Sequence, residues 1–239
     1  MAKQEVFQRY EIKYLISASQ KQKLLNEMVP YMALDRYGHT TIRNIYFDTD
    51  NYRLIRRSLE KPVYKEKLRL RSYQQVGPDD EVFVELKKKY RSIVYKRRMT
   101  MPEHAAMDWI CSGEDVHTSG QIAKEINYFV GYYQTLHPTV FLSYEREAYY
   151  CRDGGDFRVT FDSNILCRSE QLSLGASVWG IPLLEEGKVL MEIKTSGGIP
   201  LWMTHILTQE RIYKTSFSKY GRAYEKTIYP KTKGDYLYA

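Results

Sequence analysis

No stretch of this chain approaches the roughly 20 apolar residues that a bilayer-crossing helix needs, which excludes a transmembrane segment of its own. The N-terminus, Met1-Ala2-Lys3-Gln4-Glu5, does not read as a secretory signal. Cysteine is scarce. The three thiols, Cys111, Cys151 and Cys167, are odd in number and form no CxxC pair, which argues against a disulfide scaffold and predicts reduced thiols in a cytoplasmic protein. Five dispersed histidines (His39, His104, His117, His137 and His205) offer no HxxxH spacing, so a zinc site is not expected. Glycine-based phosphate chemistry is missing as well: there is no GxxxxGK[ST] loop, no GxGxxG behind a strand and no GxSxG elbow. No repeat, low-complexity tract or Pro/Gly-rich linker divides the 239 residues, and the chain reads as a single domain over 1–239.

Cations and tyrosines are what the chain has. Lys and Arg number 36 against 29 Asp and Glu, a net charge of +7, and 22 Tyr stand against 8 Phe. The excess suits acidic partners without naming one. The cations are patterned. Lys65-Glu66-Lys67-Leu68-Arg69-Leu70-Arg71, read as a strand with its period of two, puts Lys65, Lys67, Arg69 and Arg71 on one face and Leu68 and Leu70 on the other.

The alternation recurs. Arg9, Glu11 and Lys13 oppose Tyr10, Ile12 and Tyr14; Glu85, Lys87 and Lys89 oppose Val84 and Leu86; Lys96 aligns with Arg98. Tyr144 aligns with Arg146, Arg158 with Thr160 and Asp162, and Glu192 with Lys194. A single such strand would be a solvated edge of an ordinary sandwich. The set favours another arrangement, in which an antiparallel sheet closes into a barrel, apolar faces meet covering helices and charged faces line the interior. Cations clustered inside need an anion to neutralise them, so the implied ligand is a dense polyanion. The predicted fold is α+β, mainly antiparallel β: a closed, tunnel-like barrel of about eight strands with a cationic lumen and helices packed outside.

The predicted helices fall between strands. Ser17-Ala18-Ser19-Gln20 resembles a capping box opening a helix that stops before Pro30. Further helices are expected from Pro102 to about Cys111, from about Gly120 to Gln134, around Leu201 to Tyr213 and from about Ser218 to Lys226. Gly77-Pro78-Asp79-Asp80 is a hairpin turn between two cationic strands. Glu192 is the carboxylate of most interest. Among cations and phosphates it could anchor Mg²⁺ or Mn²⁺, or simply pair with a neighbouring arginine.

Eight segments in order carry a resemblance. They are Arg9-Tyr-Glu11-Ile-Lys13-Tyr14, Ile45-Tyr-Phe-Asp48, Lys65-Glu-Lys67-Leu-Arg69-Leu-Arg71 and Val84-Glu85-Leu-Lys87, then Tyr144-Glu-Arg146, Arg158-Val-Thr-Phe-Asp162, Glu192-Ile-Lys194 and Phe217-Ser218-Lys219-Tyr220. Together they resemble the catalytic domain of the vacuolar transporter chaperone (VTC) family, the polyphosphate polymerase domain in its stand-alone bacterial form, within the triphosphate tunnel metalloenzyme (CYTH-like) superfamily. The resemblance implies that Arg69 and Arg71 hold nucleotide phosphates. It also implies that Lys87, Arg146 and Arg158 are tunnel cations and Tyr144 a tunnel tyrosine. Lys96 matches a further phosphate-binding lysine, with Arg98 an alternative on the same face. Lys13, Lys65 and Lys67 join the phosphate-binding set, Ser218 and Lys219 form its C-terminal pair, and Glu192 is the metal ligand for Mn²⁺ or Mg²⁺. Arg9 stands where superfamily hydrolases open with Glu, which favours the polymerase branch. Ser58 stands where some members carry an arginine, with Arg56 and Arg57 close by.

The expected function is transfer of the γ-phosphoryl of ATP to growing inorganic polyphosphate with release of ADP. Partners are ATP and polyphosphate, with no specific nucleic acid and with room for an associated membrane protein. Two alternatives stay open: a triphosphate or nucleoside triphosphate hydrolase of the same superfamily, and a non-catalytic polyanion-binding module.

Overall fold

The computed structural model describes residues 10–91, 93–114 and 120–230. Its strands are β1 (Tyr10–Ser17), β2 (Met32–Asp48), β3 (Tyr64–Ser72), β4 (Glu81–Tyr90), β5 (Ile93–Pro102), β6 (His137–Cys151), β7 (Arg158–Arg168), β8 (Ile181–Pro182), β9 (Lys188–Thr195) and β10 (Lys214–Thr215). Its helices are α1 (Ala18–Met28), α2 (Arg53–Leu59), α3 (Glu103–Ser112), α4 (Gln121–Tyr133), α5 (Leu201–Gln209) and α6 (Lys219–Thr227). The protein is therefore α+β and mainly antiparallel. Its strand order is β10-β1-β9-β7-β6-β2-β3-β4-β5, with β8 on β7. That path has two ends, so the expected closure of the sheet is not among the described pairings. No helix of the described residues is long and apolar enough to cross a membrane.

The chain forms two compact units. The first comprises Met1–Thr41, Tyr144–Ile165 and Leu184–Phe217. Here β9 pairs with β1 on one side and β7 on the other, all antiparallel. Tyr14 and Ile16, Val159 and Phe161, and Met191 and Ile193 share one face and pack with Leu24 and Met28 of α1 and Met203 and Ile206 of α5. The opposite face carries the charges. Helix α1 starts as its sequence dictates: Ser17 Oγ accepts from Gln20 N at 3.1 Å, and the Gln20 side chain accepts from Ser17 N at 2.9 Å.

The second unit comprises Ile42–Ser143, Leu166–Leu183 and Ser218–Ala239. Antiparallel β3, β4 and β5 follow the end of β2. Ile45, Phe47, Leu68, Leu70, Val84 and Leu86 form an apolar face under Trp109 of α3 and Ile126, Phe129 and Val130 of α4. Burial of each such side chain contributes about 1.5–3 kcal/mol. The opposite face carries Lys67, Arg69, Arg71, Glu85, Lys87, Lys96 and Arg98, while Lys88 and Arg97 pair with Glu125 of α4 on the helix side. The turn expected at Gly77–Asp80 is held by Gly77 N donating to Asp80 Oδ2 at 2.8 Å.

Helix α2 is absent from the sequence-based expectation. Its N-cap, Tyr52, has a left-handed backbone (φ 57°) and makes no side-chain cap. Asp48 caps it instead from the end of β2, accepting from Leu54 N at 2.8 Å and Ile55 N at 2.9 Å. Thr49 Oγ1 accepts from Arg53 N at 3.0 Å. At the other end Lys65 Nζ donates to the Ser58 carbonyl at 3.2 Å, completing a helix terminus with a cation.

Candidate functional site

In the second unit the register builds cationic rows across the charged face. Tyr46, Arg69, Glu85 and Arg98 lie side by side, as do Lys67, Lys87 and Lys96. Glu85, 1% exposed, is the hub. Arg69 donates to its Oε2 from Nη2 at 2.7 Å and Nε at 2.9 Å. Arg98 Nε donates to Oε1 at 2.7 Å and Lys96 Nζ lies 2.5 Å from that oxygen. Arg71 Nε, 3.7 Å from Oε2, donates to Asn44 Oδ1 at 3.0 Å. Burial alone would raise the pKa of Glu85, but Arg69, Arg71, Lys96 and Arg98 together hold it well below the usual carboxylate range. Burial pushes Lys96 down to about 7; Glu85 opposes that shift and the three arginines reinforce it.

The phosphate-binding candidates near the start of α6 belong to the same unit. Lys67 Nζ donates to Ser218 Oγ at 2.8 Å, and Gly221 N donates to the same oxygen at 3.1 Å. A hydroxyl that accepts twice keeps its own proton to donate, and the first turn of the helix favours an anion there. Lys219 is nearly buried at the same turn. Tyr220 stacks on Tyr46 with ring centroids 4.6 Å apart and donates to Asp48 Oδ2 at 2.8 Å.

The first unit holds a second cluster. The rows here are Glu11, Lys194 and Arg158, then Lys13, Glu192 and Thr160. Arg146 grips the fully buried Asp162 with both arms, Nε to Oδ1 at 2.6 Å and Nη2 to Oδ2 at 2.7 Å. Burial works against the Arg146 charge, but Asp162, followed by lesser contributions including Glu192, raises its pKa well above the ordinary value. The Tyr144 ring lies 5.1 Å from the Arg146 guanidinium. Glu192, 5% exposed, has Lys13 at 3.5 Å and Arg146 and Lys194 each at 3.7 Å. Lys13 also lies 3.2 Å from Glu11 and donates to the Phe217 carbonyl at 2.9 Å. Arg158 is exposed at the start of β7.

The sequence-derived residues thus fall into two groups: Lys65, Lys67, Arg69, Arg71, Lys87, Lys96, Ser218 and Lys219 in one unit, Lys13, Tyr144, Arg146, Arg158 and Glu192 in the other. Ser58 is buried within α2, whereas Arg56 and Arg57 are exposed. Arg9, His117 and the N-terminal residues before Tyr10 lie outside the described residues. Sequence reasoning placed Glu85 on the charged face but gave it no role; its four partners come from the two strands that flank it, β3 and β5, and only the register joins them. The alternation did signal Arg98 as a partner of Lys96, and both reach the same carboxylate oxygen.

Among the described residues no three His, Cys, Asp or Glu side chains group into a metal cage. Glu192 fits a different kind of site. Mg²⁺ and Mn²⁺ take hard oxygen ligands, and Mg²⁺ commonly uses one or two carboxylates with waters and substrate phosphates. A buried carboxylate on a cationic strand face has that chemistry. Thr160 Oγ1, on the strand beside it, is buried without a hydrogen-bond partner.

Comparison with solved structures defines the fold class. A candidate adenylate cyclase from Bacillus halodurans matches with a TM-score of 0.55 at 16% identity, over 89% of this chain and 94% of the other. A candidate adenylyl cyclase from Hippeastrum, described as having a dominant triphosphatase activity, matches with a TM-score of 0.56 at 14% identity, over 93% and 98%. No curated protein matches the chain. The family model of the VTC domain matches residues 8–228, and the chain belongs to the VTC domain family.

Proposed function

We propose that this protein is a polyphosphate polymerase that moves the γ-phosphoryl of ATP onto the end of a growing polyphosphate chain. The observation that carries the reading is the cluster around Glu85, in which four cations share one carboxylate on a strand face of a VTC-family chain. A cluster with that surplus of positive charge is suited to a dense polyanion. In this reading the whole chain acts as one domain whose strands close into a tunnel-like barrel lined by the cationic faces.

Phosphoryl transfer asks chiefly for positioning and charge stabilisation. Arg69 and Arg71 hold the nucleotide phosphates in bidentate fashion. Lys87, Arg146 and Arg158 join them as catalytic cations that offset charge on the transferring phosphoryl, and Lys13, Lys65, Lys67, Lys96, Tyr144, Ser218 and Lys219 bind phosphate. A terminal phosphate oxygen of the polymer attacks the γ-phosphorus, the bond to the β,γ-bridging oxygen breaks, and ADP leaves with that electron pair. The attacking phosphate is already largely ionised, so no general base is required. Glu192 would hold Mn²⁺ or Mg²⁺, which neutralises charge on phosphate oxygens.

The likeness to the Hippeastrum protein favours hydrolysis as the second reading. Product analysis separates them. Purified protein with ATP and Mn²⁺ is expected to yield acid-labile long-chain phosphate and ADP. Orthophosphate alone would establish a hydrolase, and unreacted ATP a binding module.

A further inference from the structure

A buried hydroxyl without a partner is destabilising, and valine has nearly the same shape without that penalty. Thr160 Oγ1 is such a group, and the residue is only 6% exposed. Its position in the sheet is specific. On β7 it lies directly opposite Glu192 of β9, which lies opposite Lys13 of β1. Side chains so placed have Cβ atoms about 4.5–5.5 Å apart. The neighbours supply donors in excess: Lys13, Lys194 and Arg146 have hydrogen-bond donors and no acceptor. The nearby Asp162 carboxylate receives Arg146 on both oxygens. Thr160 contributes a neutral acceptor to a face otherwise built from ion pairs.

We infer that Thr160 positions the hydration shell of the divalent ion at Glu192, its Oγ1 accepting a hydrogen bond from a metal-bound water. The inference rests on the reading of Glu192 as the metal ligand. It accounts for a polar atom where packing would choose valine. Hard divalent ions keep several waters, each a strong donor that needs an acceptor beyond the metal. Thr160 is a positioning residue: it touches neither nucleotide nor polymer.

The test titrates Mn²⁺ into wild type, T160V, T160S and E192Q by electron paramagnetic resonance. Tripolyphosphate affinity in chelator and the metal-free melting temperature are measured alongside. T160V is expected to bind Mn²⁺ about ten- to a hundredfold more weakly, with tripolyphosphate affinity unchanged and a melting temperature at or above wild type. T160S, which keeps the hydroxyl, is expected to bind Mn²⁺ within about threefold of wild type. Should T160V fail to fold, T160A carries the same binding comparison. Wild-type Mn²⁺ affinity in T160V, or a lowered melting temperature with Mn²⁺ affinity retained, overturns the inference. If E192Q loses Mn²⁺ while T160V does not, only the role of Thr160 fails. If E192Q binds Mn²⁺ like wild type, the metal reading of Glu192 fails and takes this inference with it.

Discussion

Glu85 answers to four cations, and that imbalance governs what single residues do in the second unit. With its carboxylate gone, Arg69, Arg71, Lys96 and Arg98 would lose the counterion they share. Breaking a buried ion network from one side typically costs about 3–5 kcal/mol. Glu85→Gln is therefore expected to lose stability on that scale in urea melts, and tripolyphosphate should recover more stability in the variant than in wild type. An unchanged urea midpoint would remove Glu85 from its place as hub. Lys96 gives a pH signature. Its pKa falls from the ordinary 10.5 to about 7 on folding, so between those values the unfolded chain binds more protons. Its contribution to stability rises with pH across that window and is constant below it. In the proposed reading a triphosphate bound beside Lys96 adds negative charge, which is expected to raise the Lys96 pKa again. Calorimetry at about pH 8.5 in two buffers of different ionisation enthalpy should show proton uptake on tripolyphosphate binding, lost in Lys96→Met. Equal uptake in both proteins would contradict the assignment.

Elements are held to the charged faces by a few buried polar side chains, and Asp48 is the chief of these in the second unit. It accepts from Thr49, Leu54 and Ile55 amides and from the Tyr220 hydroxyl, joining β2, α2 and α6. Asp48→Ala strands those donors and is expected to cost more than about 3 kcal/mol, against about 1–2 kcal/mol for Tyr220→Phe, which removes the hydroxyl shared with Asp48 and Thr139. Equal and small losses in denaturant melts would show that α2 and α6 are positioned by packing alone. The sequence made the period-two strands legible because each carries an apolar face and a charged face, and α1 legible because Ser17 and Gln20 form a local capping box. It hid α2, whose cap comes from Asp48 at a distance and whose seven residues are too few for a periodic pattern. It also hid the 17-residue extent of β2, since the polar run from Asp35 to Thr41 lacks alternation. Glu85 and Thr160 were visible as members of a face, but their significance depends on cross-strand register and burial.

At the scale of the whole molecule, the net charge of +7 is concentrated into patterned strand faces rather than spread as a tail. Each compact unit covers its apolar face with helices, and the clusters around Glu85 and Glu192 lie on the other face. In the proposed reading such a chain binds polyphosphate, and Glu192 is the residue that would turn binding into chemistry. Glu192→Gln keeps the shape and removes the negative ligand, so metal-free affinity for ATP and polyphosphate should hold or rise while turnover falls steeply. An ion-pair role predicts instead a loss of stability, with metal dependence intact. The decisive measurement is a Mn²⁺ titration of ADP and polymer formation from ATP in wild type and E192Q. The account predicts metal-dependent polymer synthesis in wild type and its loss in E192Q; equal maximal rates with the same Mn²⁺ dependence in both would contradict it.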